Sequence, residues 1–173
     1  MSSSPALLSL GEHAVLALLA EQPRHGWAIV RELAPDGDVG RVWSLSRPLA
    51  YRAMDTLTAC GLIRPTGTER GEGPRRTILA PTPTGRRALR RWLTTPVEHP
   101  RDVRTELLLK LVLGGRLGID RKPVLRAQRQ HFRPTFAALA RAAARPDADV
   151  VARWRHESAR AIEQFLDAEA RAR

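Results

Sequence analysis

The stretch SRPLAYRAMDTLTACGLIR, residues 46–64, decides the fold of the N-terminal part of the chain. Ser46 can cap a helix here, because the apolar residues that follow recur at the spacing of one helical face: Ala50, Ala53, Met54 and Leu57. Gly61 then stands where a helix C-terminus favours glycine, and the period changes to that of a strand at Leu62–Arg64. The stretch predicts a helix that runs into a strand.

Two helices are predicted before this stretch. Ser9 and Glu12 have the spacing of a capping box, and the apolar run behind them is ended by Pro23. A short helix follows over Trp27–Leu33, and a turn-rich segment leads from it to Ser46. The helix of residues 46–64 is therefore the third in the chain.

A hairpin and a fourth helix are predicted after it. A polar, glycine-rich connection joins the first strand to a second one over Thr77–Leu79. Pro81 cannot donate to a ladder, so this second strand should end early or lie at a sheet edge. Thr82 then caps a helix with Pro83 in its first turn, which reaches about Leu93. Three helices, a hairpin and a helix are the order of a winged helix-turn-helix.

Positive charge is concentrated in the same region. The 173-residue chain has a net charge of +11, and residues 41–91 hold eleven arginines against three acidic residues. Residues 1–40 are net acidic, and the rest of the excess is spread evenly. A basic segment of this kind fits a surface that faces a polyanion.

The predicted third helix and hairpin are the parts of a winged helix that meet duplex DNA. The helix has the size to enter a major groove, and the hairpin can send arginines onto phosphates or into the minor groove. Each residue taken alone is more often an ordinary surface side chain, but their order within one basic segment favours DNA binding. The predicted DNA-binding residues are Ser46, Arg47, Tyr51, Arg52, Arg70, Arg75 and Arg76.

The second part of the chain is predicted to be all helical. The proline-containing segment 94–100 separates a DNA-binding domain, residues 1–93, from a helical domain, residues 94–173. Helices are expected over Arg101–Leu113, after a cap at Asp120, and after a cap at Asp147. Pro134 should kink or split the middle one of these helices. The fold class is therefore mainly α with a small β-hairpin.

The last helix carries an apolar seam with alternating spacings of three and four residues: Val151, Trp154, Ser158, Ala161, Ile162 and Phe165. This seam predicts pairing with a second copy of the chain. Two alternatives stay open. The seam can form an intrachain core with Phe132, Phe136 and Leu139, or Trp154 and Phe165 can line a pocket for an apolar or aromatic effector.

The sequence argues against an enzyme. The five histidines are not paired at ligand spacing, the chain has one cysteine, Cys60, and phosphate-loop and nucleophile motifs are missing. We therefore expect neither a metal site nor a cofactor. The longest apolar runs, residues 14–20 and 107–113, are too short to span a bilayer. The first residues have no basic segment typical of a signal peptide, so we expect a cytoplasmic protein.

The chain resembles a known family, the PadR-like transcriptional regulators, over nearly its whole length. The matching segments are LGEHAVL (10–16), HGW (25–27), YRAMDTL (51–57), GLI (61–63), PRR (74–76), TPTGR (82–86) and RTELLLKL (104–111). Among the departures, Trp27 and Leu79 stand where the family usually has tyrosine. The last of these segments resembles the opening of the multi-helical C-terminal domain found in the family's larger members. The resemblance implies a homodimer on a palindromic operator, usually a repressor and often released by a small molecule.

The leading hypothesis is therefore a sequence-specific transcriptional regulator that binds double-stranded DNA. One alternative is an architectural, sequence-tolerant DNA-binding protein, which would make phosphate contacts alone. Another is a protein-interaction module whose winged helix no longer binds DNA, and the exposed Arg47 and Arg52 expected on the third helix count against it.

Overall fold

The structure, a computed structural model, describes residues 8–69 and 75–172, which are mainly helical with a small antiparallel sheet. The chain forms two compact units. The first holds the residues up to Leu93 together with Leu108–Ile119, and the second holds Thr94–Leu107 and the residues from Asp120 onward. The sequence predicted a single division after residue 93, whereas Leu108–Ile119, which lies beyond it, belongs to the first unit.

The first unit is a winged helix. Its elements in chain order are α1 (Leu10–Glu21), β1 (Arg24–His25), α2 (Gly26–Leu33), α3 (Arg47–Ala59), β2 (Ile63–Glu69), β3 (Arg76–Pro81), α4 (Pro83–Thr94) and α5 (Leu108–Arg116). The predicted capping box at α1 is confirmed, since the Ser9 hydroxyl accepts from the Glu12 amide and the Glu12 carboxylate accepts from the Ser9 amide. The predicted bounds of α2 and α3 hold to within a residue or two at each end.

The sheet has one strand more than the predicted hairpin. Its order is β1-β3-β2, so β3 is the central strand. Of the two alternatives expected for Pro81, the edge position is wrong, whereas the strand does end at this residue. Pro81 is the last residue of β3 and pairs with Ile63, while β1 pairs with Ile78 and Leu79. Strand β1 therefore does not reach Pro81, so it needs no backbone N–H from this residue.

The core of the first unit forms between α1 and α3. The face of α3 predicted to be apolar is buried, with at most 6% of any of its side chains exposed: Ala50, Ala53, Met54 and Leu57. Helix α1 is buried over most of its surface and packs against α3. Leu109 and Leu113 of α5 belong to the same core, so α5 is part of the winged-helix unit.

An ion-pair cluster connects α5 to this unit. The Arg116 guanidinium donates to Glu21 at 2.7 Å and to Glu32 at 2.9 Å, and the buried Arg24 pairs with the same two carboxylates. The hydrogen bond from Arg116 holds the pKa of the Glu32 carboxyl below its usual value of 4.5, and this outweighs the effect of partial burial, which raises it. The cluster joins α1, β1, α2 and α5.

The second unit is built from two long helices, α6 (Arg121–Ala143) and α7 (Val150–Arg171). A 3-10 turn over Pro100–Asp102 and a π-helical turn over Val103–Leu107 precede α5 and belong to the same unit. The buried Gln128 amide of α6 accepts from the Val97 amide at 2.7 Å and donates to the Val97 carbonyl at 3.0 Å. This pair of bonds fixes the segment around Val97 to α6.

Three predictions for this region need correction. Helix α5 does not end at Leu113 but continues to Arg116, and Gly118 with φ of 70° follows it. Of the two alternatives for Pro134, a kink or a split, the split is wrong, because α6 is helical on both sides of it. The N-cap of α7 is Asp149, whose side chain accepts from Ala152, while Asp147 pairs with Arg145. Both aspartates can cap a helix, and sequence alone did not separate them.

Replacing Arg116 with alanine should destabilise the winged-helix unit. Its hydrogen bonds to Glu21 and Glu32 are charge-assisted but about a quarter exposed, so we expect a loss of about 1–2 kcal/mol in the free energy of unfolding. Denaturant unfolding of Arg116→Ala measures the loss. Arg31→Ala is the control, since Arg31 is exposed on α2 and has no ion pair within residues 8–69 and 75–172.

The effect should depend on pH in one direction. Because the pKa of Glu32 is lowered in the folded state, its stabilisation is present above pH 4.5 and is lost as the pH falls through the folded-state pKa. The stability difference between wild type and Arg116→Ala should therefore shrink below about pH 4.5. A difference that does not shrink as the pH is lowered below about 4.5 would contradict the role given to this carboxylate.

Candidate nucleic-acid interface

The N-terminal half of α3 presents the predicted reading residues to the outside. Ser46, Arg47, Tyr51 and Arg52 are all exposed, because the opposite face of α3 is buried against α1. The Ser46 side chain makes no capping hydrogen bond, and Pro48 starts the helix with a fixed φ. The hydroxyl of Ser46 is thus not used to cap its own helix.

Arg47 and Tyr51 lie together, one turn apart on α3. The Arg47 guanidinium lies 5.8 Å from the centroid of the Tyr51 ring and 5.7 Å from that of Trp27 on α2. Within residues 8–69 and 75–172 Arg47 has no carboxylate partner. Arg52, one residue beyond Tyr51, is exposed outside this cluster.

A cavity of about 520 Å³ opens beside the cluster, between the start of α2, α3 and β3. Arg47, Tyr51 and Arg76 line it together with His25. The His25 Nδ1 accepts from the Ala28 amide at 3.2 Å and so caps α2, while its Nε2 lies 3.5 Å from an Arg76 nitrogen. The structure thus brings one wing arginine to the same recess as the start of the third helix.

The other wing residues are placed in part. Arg76 is the first residue of β3, and Arg75 directly before it is exposed. Arg70 lies outside the described residues, as do residues 71–74.

The structure separates the arginines of α4 from the start of α3. The α4 helix begins at the C-terminal end of α3, where the Thr82 hydroxyl donates to the Gly61 carbonyl at 2.8 Å. Its arginines are exposed, and Arg86 donates to the Ala20 carbonyl at 3.4 Å. Arg47 lies at the other end of α3, about 20 Å away for a helix of 13 residues. Four of the eleven arginines of residues 41–91 are therefore left out of the candidate interface: Arg86, Arg87, Arg90 and Arg91.

The seam predicted on α7 is partly open in the single chain. Val151 is 48% and Trp154 72% exposed, and Ala161 is exposed as well, while Ser158, Ile162 and Phe165 are half-buried. The face of α7 that packs on α6 is another one, with Ala159 and Leu166 buried. The alternative of an intrachain core is thus wrong for Val151 and Trp154, whose side chains are exposed in the single chain.

Sequence reasoning missed two residues of the site, Trp27 and His25. Ile29, Val30 and Leu33 form the buried face of α2, and Trp27 is 44% exposed. The sequence signal for Trp27 was a large aromatic residue outside the apolar face of its helix, which is typical of a binding surface. His25 belongs to the HGW segment of the family resemblance, but its contacts depend on β1 pairing with β3, which that segment alone does not show.

Features typical of other kinds of protein are missing from the described part of the chain. Residues 8–69 and 75–172 contain no group of three or more histidine, cysteine, aspartate or glutamate side chains placed to hold a metal ion. No helix in these ranges has the length and apolar character to cross a membrane.

The fold and the exposed start of α3 define the class of the first unit, a winged helix with exposed arginines at the start of its third helix. Residues 15–91 match the sequence profile of the Transcriptional regulator PadR-like family. Over these residues the chain is similar to that family, and the resemblance drawn from the sequence is confirmed there. The family is one of transcriptional regulators, which agrees with the expectation that the chain is not an enzyme.

Individual relatives are more distant. The Probable transcriptional regulator Rv1176c of Mycobacterium tuberculosis is 27% identical over 96 residues, or 56% of this chain and 50% of the relative. The aligned part therefore spans about half the length of that relative. Bacillus subtilis PadR in complex with operator DNA is 19% identical with a TM-score of 0.49, and 94% of this chain and 98% of that chain align. The same protein in complex with p-coumaric acid is 18% identical with a TM-score of 0.43, over 92% and 95% of the two chains.

If the wing binds DNA phosphates, replacing Arg75 and Arg76 together with alanine should weaken binding equally on all duplexes. The slope of log affinity against log salt should also flatten, by about one unit for each phosphate that the variant no longer neutralises. Fluorescence anisotropy over a salt series measures both quantities. Arg86→Ala with Arg87→Ala removes the same charge from α4 and should leave the slope nearly unchanged. Equal slopes for wild type and the wing variant would mean that the wing stands off the DNA.

Proposed function

We propose that the chain is a sequence-specific DNA-binding transcriptional regulator. The observation that carries the proposal is the arrangement of α3, whose buried face packs on α1 while Arg47, Tyr51 and Arg52 stay exposed at its N-terminal half. The start of a recognition helix is the part that meets base edges in a major groove. Arginine there can form two hydrogen bonds with guanine, and tyrosine can reach a phosphate or a base.

We further propose that the regulator acts as a homodimer on a palindromic operator. Trp154 and Val151 expose an apolar strip on α7 that α6 does not cover. Pairing two chains through this strip would remove it from water and hold two copies of α3 at one separation. A two-fold pair of reading helices requires two symmetric half-sites, one helical turn of DNA or a multiple of that apart.

The regulatory sense follows from the family resemblance. We propose a repressor in the cytoplasm that a small apolar or aromatic effector releases, by analogy with family members. One solved structure of Bacillus subtilis PadR is a complex with p-coumaric acid, and this binding is a property of that protein. Trp154 faces outward in the single chain, so a pocket that uses its ring would need the partner subunit.

Replacing Arg52 with alanine should remove operator preference and keep weak general binding. If Arg52 reads a base, the loss on the operator is about 1–3 kcal/mol, with a smaller loss on random duplex. The test uses DNA from directly upstream of the protein's own gene, with bulk genomic DNA as competitor. An equal loss on both duplexes would make Arg52 a phosphate contact. A wild-type protein without preference for any upstream fragment would favour the architectural alternative.

Replacing Trp154 with glutamate should give a folded monomer that no longer binds the operator. Trp154 is 72% exposed, so its loss leaves the packing of α6 on α7 intact while a charge enters the proposed interface. A single DNA-binding unit should bind poorly, because linking two units raises affinity through effective concentration. Light scattering and anisotropy measure the two effects.

Gln164→Glu is the matched control for Trp154→Glu. It adds the same charge at an exposed position of α7 outside the seam, and it should stay dimeric and bind the operator. A Trp154→Glu protein that remains a dimer, or a monomer that binds the full operator normally, would show that α7 does not pair the chains through this strip.

A further inference from the structure

The position of Trp27 is not explained by the core. The apolar face of α2 is complete without it, because Ile29, Val30 and Leu33 are buried and Trp27 is 44% exposed. A large aromatic side chain kept at the surface indicates a task other than holding the fold together.

Helix α2 is placed so that Trp27 meets α3. Gly26 allows a close approach, since a Cβ atom built on it would lie 3.0 Å from a Tyr51 ring carbon and 3.2 Å from the Met54 methyl. The next residue, Trp27, then lies beside the first turn of α3. Its ring centroid is 5.7 Å from the Arg47 guanidinium, close to the 5.8 Å between Arg47 and Tyr51.

Arg47 stands where a cation is disfavoured. It is the first residue of α3, and the N-terminus of a helix carries a partial positive charge. No carboxylate in residues 8–69 and 75–172 pairs with it. Its neighbours are the electron-rich faces of two aromatic rings, which attract a guanidinium and limit its rotamers without neutralising its charge. A charge held in this way stays available to a polyanion.

We propose that Trp27 is a positioning residue that orients the Arg47 guanidinium for reading a base edge, and so determines part of the operator specificity. The inference rests on the proposed function. Tyr51 lies on the same helix as Arg47, one turn further along, whereas Trp27 approaches from α2, so the two rings contact the guanidinium from different elements. An arginine fixed before binding loses less side-chain freedom when it forms its two bonds to guanine.

The test is a double-mutant cycle on the full chain, with the upstream operator fragment and a random duplex. Trp27→Leu removes the ring and keeps an apolar side chain, and Trp27→Phe keeps a ring. We expect Trp27→Leu to weaken operator binding about three- to tenfold, with a smaller effect on random duplex. Trp27→Phe should keep most of the wild-type affinity for the operator. In an Arg47→Ala background, Trp27→Leu should have no further effect. Thermal unfolding of each variant checks that α2 stays folded.

Two outcomes would overturn the inference. If Trp27→Leu weakens binding as much with Arg47→Ala as without it, Trp27 contacts DNA itself and does not act through Arg47. If it weakens operator and random duplex to the same degree, the contact it supports is to phosphate and carries no specificity.

A measurement without DNA separates this inference from the proposed function. The ring currents of Trp27 should shift the Nε–H resonance of Arg47 in a ¹H–¹⁵N spectrum, with the resonance assigned by its loss in Arg47→Lys. The shift should move toward the random-coil value in Trp27→Leu and stay in Trp27→Phe. An unmoved resonance overturns the inference even for a protein that binds its operator. A moved resonance in a protein that binds no DNA supports the orientation and rejects the proposed function.

Discussion

The burial of one face of α3 against α1 is the constraint on which the rest of the winged-helix unit depends. Ala50, Met54 and Leu57 are almost completely buried, and this fixes the rotation of α3 about its own axis. Arg47 and Tyr51 therefore face outward. The same packing places the end of α3 where β2 begins, through Gly61 with its φ of 66°. The interface is thus a consequence of the core.

Local patterns in the sequence predicted the elements of this unit, and the parts they missed depend on distant residues. The Ser9–Glu12 capping box and the apolar face of α3 are periodic or capping signals within a few residues, and both are present in the structure. Strand β1 has two residues and exists through its pairing with β3. The place of α5 depends on Arg116 meeting Glu21 and Glu32, 95 and 84 residues away along the chain. No window of sequence contains such a contact.

In the C-terminal unit the sequence predicted a seam but not which neighbour covers it. Helix α7 has two partly apolar faces, one with Ala159 and Leu166 against α6, the other with Val151 and Trp154 exposed. Periodicity alone does not separate the two faces, because a helix of 22 residues has room for two apolar stripes.

The candidate DNA-binding residues were predicted in the same way, as a set of exposed positions. Their grouping was not, since the contact between Trp27 and Arg47 crosses from one helix to another.

In the proposed function, two copies of α3, held by pairing of the C-terminal helices, read two half-sites of one duplex. Hydroxyl-radical footprinting of wild-type protein on DNA from upstream of its own gene tests it most directly. We predict two protected patches related by two-fold symmetry, with centres one helical turn of DNA or a multiple of it apart. A single patch, or protection that spreads along the fragment without phase, would contradict it.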